Sequence, residues 1–388
     1  MKESFDAIVI GVGSMGSAAC FELTRRGFRV LGLDRFPVPH ENGSHTGQSR
    51  IIRKAYFEHP DYVPLLESAY RAWADFERLS GEKFYTETGL LYAGPDHSAL
   101  IKGVQESAVR YGIAVEDLAP ADRSRFSVFD IPADYRVLYE PQAGFLTPES
   151  AISAYVRCAG AMGARFLFGE KIIRWQQDGE GVTVETSAGS YRAARLVLAG
   201  GAWTSQLLPD LASRLKVTRQ IIAWFHTRQP ERFAPERFPC WLIDEQETGN
   251  VFYGFPQLDP SRFPGPQGLK VAQHDPGPVV DPERSDRHVS ESETGILAQF
   301  MDRFMPDQRS DISALKSCLY TYSPDEHFII DAVPGTDGRV VLAAGFSGHG
   351  FKFVPVIGEI LADLALSGAT GHPAAFLSLD REALRHSS

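Results

Sequence analysis

The pattern of apolar and polar positions changes period twice within the first 34 residues. Residues 5–10, Phe-Asp-Ala-Ile-Val-Ile, form a β-branched apolar run that ends on glycine, as a buried parallel strand does. Residues 18–26 take a helical period, closed by Gly27. Residues 28–33 return to a strand that ends on Asp34. Gly11-Val12-Gly13-Ser14-Met15-Gly16 fills the first turn. There Gly11 allows the tight bend and Gly13 lets the backbone approach a diphosphate. Gly16 lets the helix pack on the strand, with its N-terminus toward the anion. Asp34 lies 18 residues after Gly16, placed for an adenosine ribose and hostile to a 2′-phosphate. Strand, glycines, helix and acid together predict a dinucleotide site, without choosing between NAD and FAD.

The chain then leaves the strand–helix repeat that an NAD dehydrogenase would continue. Residues 37–47 are a Pro/Gly/His/Ser-rich loop leading into Gln48-Ser49-Arg50-Ile51-Ile52-Arg53. If that turn is helical, Arg50 and Arg53 share a face. They would then be a solvated basic turn or a cationic pair for an anionic ligand. Helices are predicted over 63–79 and 147–162, the second with Thr147 as cap and Pro148 in its first position. Strands are predicted over 84–93, 133–140, 165–168, 181–186 and 195–199, and again over 217–225, 251–255 and 269–272. Seven prolines from Phe255 to Pro282 make the stretch around that last strand irregular. A strand over 339–344 and a helix over 356–365 close the pattern. The fold class expected is α/β. A Rossmann-like dinucleotide domain is assembled from residues 1–80, 147–215 and 325–388. A second, substrate domain with a mixed β-sheet and helices takes 81–146 and 216–324.

Composition narrows the function classes. The 388 residues are 43% hydrophobic and 23% charged, which excludes disorder. Lys and Arg number 39 against 49 Asp and Glu, a net charge of −10 that argues against a nucleic-acid partner. Cys20, Cys158, Cys240 and Cys318 are too scattered for a disulfide scaffold or a metal motif, so reduced thiols, no metal and a cytoplasmic setting are expected. No run approaches the ~20 apolar residues of a membrane span, and the first apolar run is too short for a signal peptide.

The C-terminal quarter carries the most specific pattern. Ser317-Cys318-Leu319-Tyr320 precedes Asp325-Glu326-His327-Phe328-Ile329-Ile330-Asp331. Gly345-Phe346-Ser347-Gly348-His349-Gly350-Phe351-Lys352-Phe353 then runs into the last helix, a second loop-to-helix junction suited to an anion, with Lys352 as a candidate clamp. These blocks, with Gly11 to Asp34, Asn42-Gly43-Ser44-His45 and Arg50-Ile51-Ile52-Arg53, resemble the monomeric sarcosine oxidase / N-methyltryptophan oxidase family from end to end.

That resemblance implies an FAD enzyme that oxidises a secondary amino acid with O2 to an imine and H2O2, the imine then giving an aldehyde and a primary amino acid. It implies a monomer whose partners are a small amino acid and O2. Cys318 matches the cysteine that carries FAD through a thioether. Arg53 and Lys352 match the substrate carboxylate clamp, with Tyr253, His274 and Leu242 as pocket walls. Trp241 and the Trp224-Phe225 pair are expected near the same pocket. Arg50 matches the arginine at the flavin ring and Lys270 the lysine that activates O2. The cofactor shell carried over comprises Gly11, Gly13, Ser14, Met15, Gly16, Asp34, Arg35, Gly43, Ser44, Thr46, Arg50, Ile51, Ile172, Gly200, Trp203, Cys318, Gly345, Phe346, Gly348, His349, Gly350 and Lys352. The chain departs from the family at Thr46, at Gln48-Ser49 and in a longer Pro-rich stretch between Tyr253 and Lys270. Cyclic or larger secondary amino acids, a dehydrogenase with another acceptor and a non-catalytic flavin binder remain alternatives.

Overall fold

The computed structural model describes residues 4–385. Five strands of its first sheet run parallel, in the order Arg165–Phe168, Val30–Asp34, Ser4–Ile10, Ser190–Leu198 and Val340–Ala344. Ile329–Ala332 adds to the far edge antiparallel, and Ile172–Asp178 with Gly181–Thr186 forms an antiparallel excursion onto Ser190–Leu198. Alternation along Ser4–Ile10 sends Ala7 and Val9 to one face and Ile8 and Ile10 to the other. The first face is covered by helices Ser14–Arg25, Pro148–Ala161 and Val354–Ser367. The second packs against Val182 and Val184 of the excursion. The architecture is therefore Rossmann-like α/β, with strands instead of helices on the second face.

A second eight-stranded sheet has the order Arg309–Tyr322, Lys216–Thr227, Leu269–Gln273, Asn250–Gly254, Cys240–Glu245, Leu90–Pro95, Tyr135–Glu140 and Glu116–Asp117. It is antiparallel except where Cys240–Glu245 meets Leu90–Pro95, so the sheet is mixed. One face is sealed by helix Gly295–Phe304, whose Phe300 stacks on Trp241 at 5.2 Å. The other face carries Leu242, Tyr253, Cys318 and Tyr320. A three-stranded sheet of Arg50–Ile52, Gly144–Leu146 and Tyr85–Glu87 draws on both groups of segments.

Two expectations are corrected. Arg50–Ile52 is a strand paired with Gly144–Leu146, because its β-branched pair Ile51-Ile52 prefers an edge to a helical turn. Arg50 and Arg53 therefore share no helical face. The single strand expected over 84–93 is two, Tyr85–Glu87 and Leu90–Pro95, since the chain crosses between sheets at Thr88-Gly89. Helices Ala99–Tyr111 and Gly295–Phe304, and strands Ile172–Asp178, Cys240–Glu245 and Arg309–Tyr322, are additional to the predicted elements.

Candidate active site

The structure shows why the first and third glycines of the motif are glycines. Gly11 has φ +87°, and a Cβ there would lie 2.3 Å from the Ala199 carbonyl oxygen. A Cβ on Gly16 would lie 1.7 Å from the Gly11 oxygen, so its part is close helix–strand packing and it does not line the cavity described next. Gly13 is the N-cap of Ser14–Arg25 and supplies no side-chain cap, which leaves the helix N-terminus open to a ligand. Asp34 braces the same turn: its oxygens accept from the amides of Val12 at 2.7 Å and Phe36 at 2.9 Å. Arg35 is already paired with Glu283 at 2.5 Å, and Glu283 also accepts from the Trp203 indole at 3.0 Å.

A cavity of about 690 Å³ opens here, within the usual range for a small-molecule or cofactor site. Gly11, Gly13, Ser14, Met15, Asp34, Arg35, Gly43, Ser44, Arg50, Ile51, Ile172, Gly200 and Trp203 line it from the first half of the chain. Gly345, Phe346, Gly348, His349, Gly350 and Lys352 line it from the C-terminal block. Arg53, Leu242, Tyr253 and His274 share the same wall, joined by Tyr320, which the sequence did not single out. Thr46, Lys270 and Cys318 are buried but lie outside that wall. Trp241, Trp224 and Phe225 are also outside it. Strand alternation turns Trp241 into the core opposite Leu242, and Phe225 likewise lies in that core while Trp224 faces the other way. The open helix end, the bare Gly13 and a buried His45 Nε2 without a partner fit a bound dinucleotide.

Arg53 and Lys352 are neither solvated nor free. Arg53 forks onto Glu58 at 3.0 and 2.7 Å, and its guanidinium stacks on the rings of Tyr56 and Phe57 at 4.5 and 4.7 Å. Burial would raise the Glu58 carboxyl, but Arg53, His349 and Lys352 outweigh it and hold the group at about 2. Lys352 donates to the His349 carbonyl at 2.7 Å. Burial, then Arg53, pushes its ammonium down to about 7, with Glu58 acting the other way. Tyr56 and His349 Nδ1 share a 2.5 Å hydrogen bond, and burial pushes that imidazole down to about 3. His274 packs edge-on to Phe57, and burial lowers its pKa as well. Trp73 donates to the Lys352 carbonyl at 2.9 Å, and Glu140 accepts from the amides of Lys54 and Ala55 at 2.7 and 3.2 Å. Glu58, Tyr56 and Glu140 escaped the sequence reading. The available signal was simple: a buried arginine needs an acid, and Glu58 is the first one after Arg53.

Arg50 and Lys270 are held under one loop. Arg50 donates to the carbonyls of Ser44, Thr46 and Ser49 at 2.8, 2.6 and 2.8 Å. Lys270 donates to the carbonyls of Gly47 and Ser49 at 2.6 and 2.7 Å. Burial, then Arg50, lowers the Lys270 pKa well below its ordinary value. Cys318 sits in the same cluster. Burial raises its thiol, while Arg50, Lys270 and Arg287 pull the other way.

The FAD dependent oxidoreductase family profile matches residues 6–364. A monomeric sarcosine oxidase of Streptomyces avermitilis is 42% identical over 376 residues, 96% of each chain. The chain belongs to the monomeric sarcosine oxidase and N-methyltryptophan oxidase family. A monomeric sarcosine oxidase of Bacillus sp. is 37% identical over 395 residues, covering 100% of this chain and 98% of that one. An N-methyl-L-tryptophan oxidase of Salmonella dublin is 36% identical over 366 residues, 93% of this chain and 95% of that one. Among solved structures, an unusual amino acid oxidase essential for nikkomycin biosynthesis, in its open form, superposes with a TM-score of 0.85 at 27% identity, covering 97% and 98% of the two chains. Membership makes this protein a flavoprotein oxidoreductase that acts on CH–NH bonds with FAD. Among the described residues no helix is long and apolar enough to cross a membrane, and no cluster of potential metal ligands is present.

Proposed function

We propose that this protein oxidises an N-methyl α-amino acid of the sarcosine or N-methyltryptophan type with O2, as a monomer. The observation that carries the reading is the pair Arg53 and Lys352 on the wall of the same cavity that the open helix end and Gly13 border. A carboxylate held between Arg53 and protonated Lys352 leaves its N-alkyl carbon little freedom, which is how a small zwitterion is oriented for reaction. Leu242, Tyr253 and His274 then bound the space for the rest of the substrate. FAD, when bound, supplies the two-electron acceptor for the C–H bond next to nitrogen. The amine gives up two electrons and two protons as it becomes an imine, and O2 takes both pairs as H2O2. Water then splits the imine into an aldehyde and a primary amino acid. His349 and His274, both held below their ordinary pKa by burial, are neutral at pH 7 and leave the amine free of an added positive neighbour. Arg50 puts fixed positive charge on the cavity wall, where it would stabilise a bound cofactor that has taken up electrons.

The finer assignments belong to the same proposal. Residues 1–80, 147–215 and 325–388 form the FAD domain, and 81–146 with 216–324 the substrate domain. Cys318 is the covalent attachment point, and Lys270 assists the step with O2. One observation favours a second reading, in which electrons pass to another acceptor: Lys270 lies outside the cavity wall. A panel of N-methyl and cyclic amino acids tests both. N-methyl amino acids should bleach the flavin anaerobically and give stoichiometric peroxide in air. Bleaching without peroxide would replace the oxidase by a dehydrogenase. No bleaching by any amine would end the proposal.

A further inference from the structure

The geometry points to Glu149 as a positioning residue that acts through the 44–50 loop, holding Lys270 as a cation beside Arg50. This assignment rests on the reading of Lys270 as the residue of the oxygen step. Glu149 stands in the first turn of helix Pro148–Ala161, is not part of the cavity wall and is absent from the family motifs described above. Its Oε1 accepts from two successive amides, Gly47 at 2.8 Å and Gln48 at 3.2 Å. With those two N–H groups turned to the carboxylate, the carbonyls of Gly47 and Ser49 turn to Lys270, and those of Ser44, Thr46 and Ser49 to Arg50.

The loop does not take this shape without cost. Ser49 N–H closes on the Gly47 carbonyl at 2.8 Å across Gln48, whose φ is +70°. A three-residue turn with positive φ at a non-glycine centre is strained and persists only where its surroundings over-determine it. The surroundings do so from three sides. Gln48 donates to the Phe263 carbonyl at 2.9 Å, accepts from the Trp224 indole at 3.3 Å, and presents its amide to Glu149.

Charge completes the argument. The groups that act on Lys270 are Arg50, Glu149, Cys318 and Cys240, with the rings of Phe255 and Trp224 at 4.3 and 5.8 Å. Glu149 supplies the negative charge, since the two cysteines are neutral with thiols raised by burial. The charged or titratable groups that act on Glu149 itself are His45, pushed down by burial to about 4, and Arg50. One buried carboxylate thus serves two buried cations, and Lys270 is the one that can respond to its loss by giving up a proton.

The test uses the holoprotein and the variants Glu149→Gln, Lys270→Met and their combination. Glutamine keeps an acceptor oxygen for the two amides and removes only the charge. The flavin is photoreduced without substrate and mixed with O2 across a pH series. The pH at which reoxidation falls to half should move down by about one unit in Glu149→Gln, which is about tenfold slower reoxidation above that pH. An unmoved midpoint overturns the assignment. Thermal unfolding of the four proteins gives a second readout that needs neither O2 nor substrate. Glu149→Gln should lower Tm more in the Lys270 background than in the Lys270→Met background, and additive shifts overturn the assignment. A Glu149→Gln protein that folds only with Lys270→Met is the extreme of the same coupling, whereas failure in both backgrounds overturns it. If photoreduced wild type does not react with O2, the oxidase reading fails while the unfolding cycle still decides the role of Glu149.

Discussion

Replacing Glu58 by glutamine isolates the electrostatics around Arg53. Arg53 and Glu58 form a bidentate pair in which the side chains are 4% and 10% exposed, so solvent screens it little. The carboxyl stands at about 2 against an ordinary 4.5. At about 1.36 kcal/mol per tenfold change in proton affinity, that difference is worth about 3 kcal/mol. Breaking a buried pair from one side costs a similar ~3–5 kcal/mol, because the remaining charge is left uncompensated. With an unfolding entropy of about 2.1 cal/mol/K per residue over 388 residues, Tm should fall by about 4 °C at pH 7. The sign with pH is fixed as well. A carboxyl whose folded pKa is depressed stabilises fully above about pH 4.5 and loses that contribution as the pH falls toward 2. Wild type should therefore lose stability over that interval, and Glu58→Gln should show a flatter acid limb. Differential scanning fluorimetry from pH 7 downward reads both effects. An unchanged Tm at pH 7, or an equally steep acid limb in the variant, would refute the ion pair as the dominant partner of Arg53.

Four further outcomes are expected. Cys318→Ser should release flavin into the supernatant on acid precipitation, whereas wild type keeps it in the pellet; retained flavin in the variant would place the attachment elsewhere. Affinity for a carboxylate inhibitor should fall as pH rises through about 7, where Lys352 loses its proton, and Lys352→Met should flatten that profile in a flavin-absorbance titration. Trp241→Ala should cost about 3–5 kcal/mol in unfolding yet leave the ranking of N-methyl substrates unchanged, while Leu242→Ala should shift it toward larger side chains. The reverse pattern would mean that the strand parity is misassigned. Gly16→Ala should yield protein without flavin, measured by absorbance after purification, because its Cβ would collide with the Gly11 carbonyl.

What could be read from sequence was what is local. Gly11 to Asp34 encodes strand, turn, helix and acid within one stretch, and the structure keeps each in place. The Gly345-to-Lys352 block was legible for the same reason. Side-chain direction on the second sheet was not, because Trp241 and Leu242 are equally apolar and only pairing with Tyr253 and Gly254 fixes which one faces the cavity. Glu58 and Glu149 were invisible as site residues because their importance comes from what they meet when folded: Glu58 the buried Arg53, and Glu149 the Gly47 amide 102 residues away in the chain. Lys270 was picked out by resemblance, yet its place beneath the loop carbonyls depends on the strained turn at Gln48, which no propensity announces.

The strand order of the parallel sheet bears on how the protein is made in the cell. Ser4–Ile10, made before the other strands of this sheet, sits between Val30–Asp34 and Ser190–Leu198, and the latter in turn waits for Val340–Ala344. Gly345 to Lys352, which finish the cavity wall, emerge later still. A growing chain therefore has the glycine turn of residues 11–16 long before it has the cavity wall that residues 345–352 complete. Enclosure of the cavity thus waits on residues 345–352, and a chain stalled or clipped ahead of Val340–Ala344 should lack that part of the wall however well its earlier strands have folded.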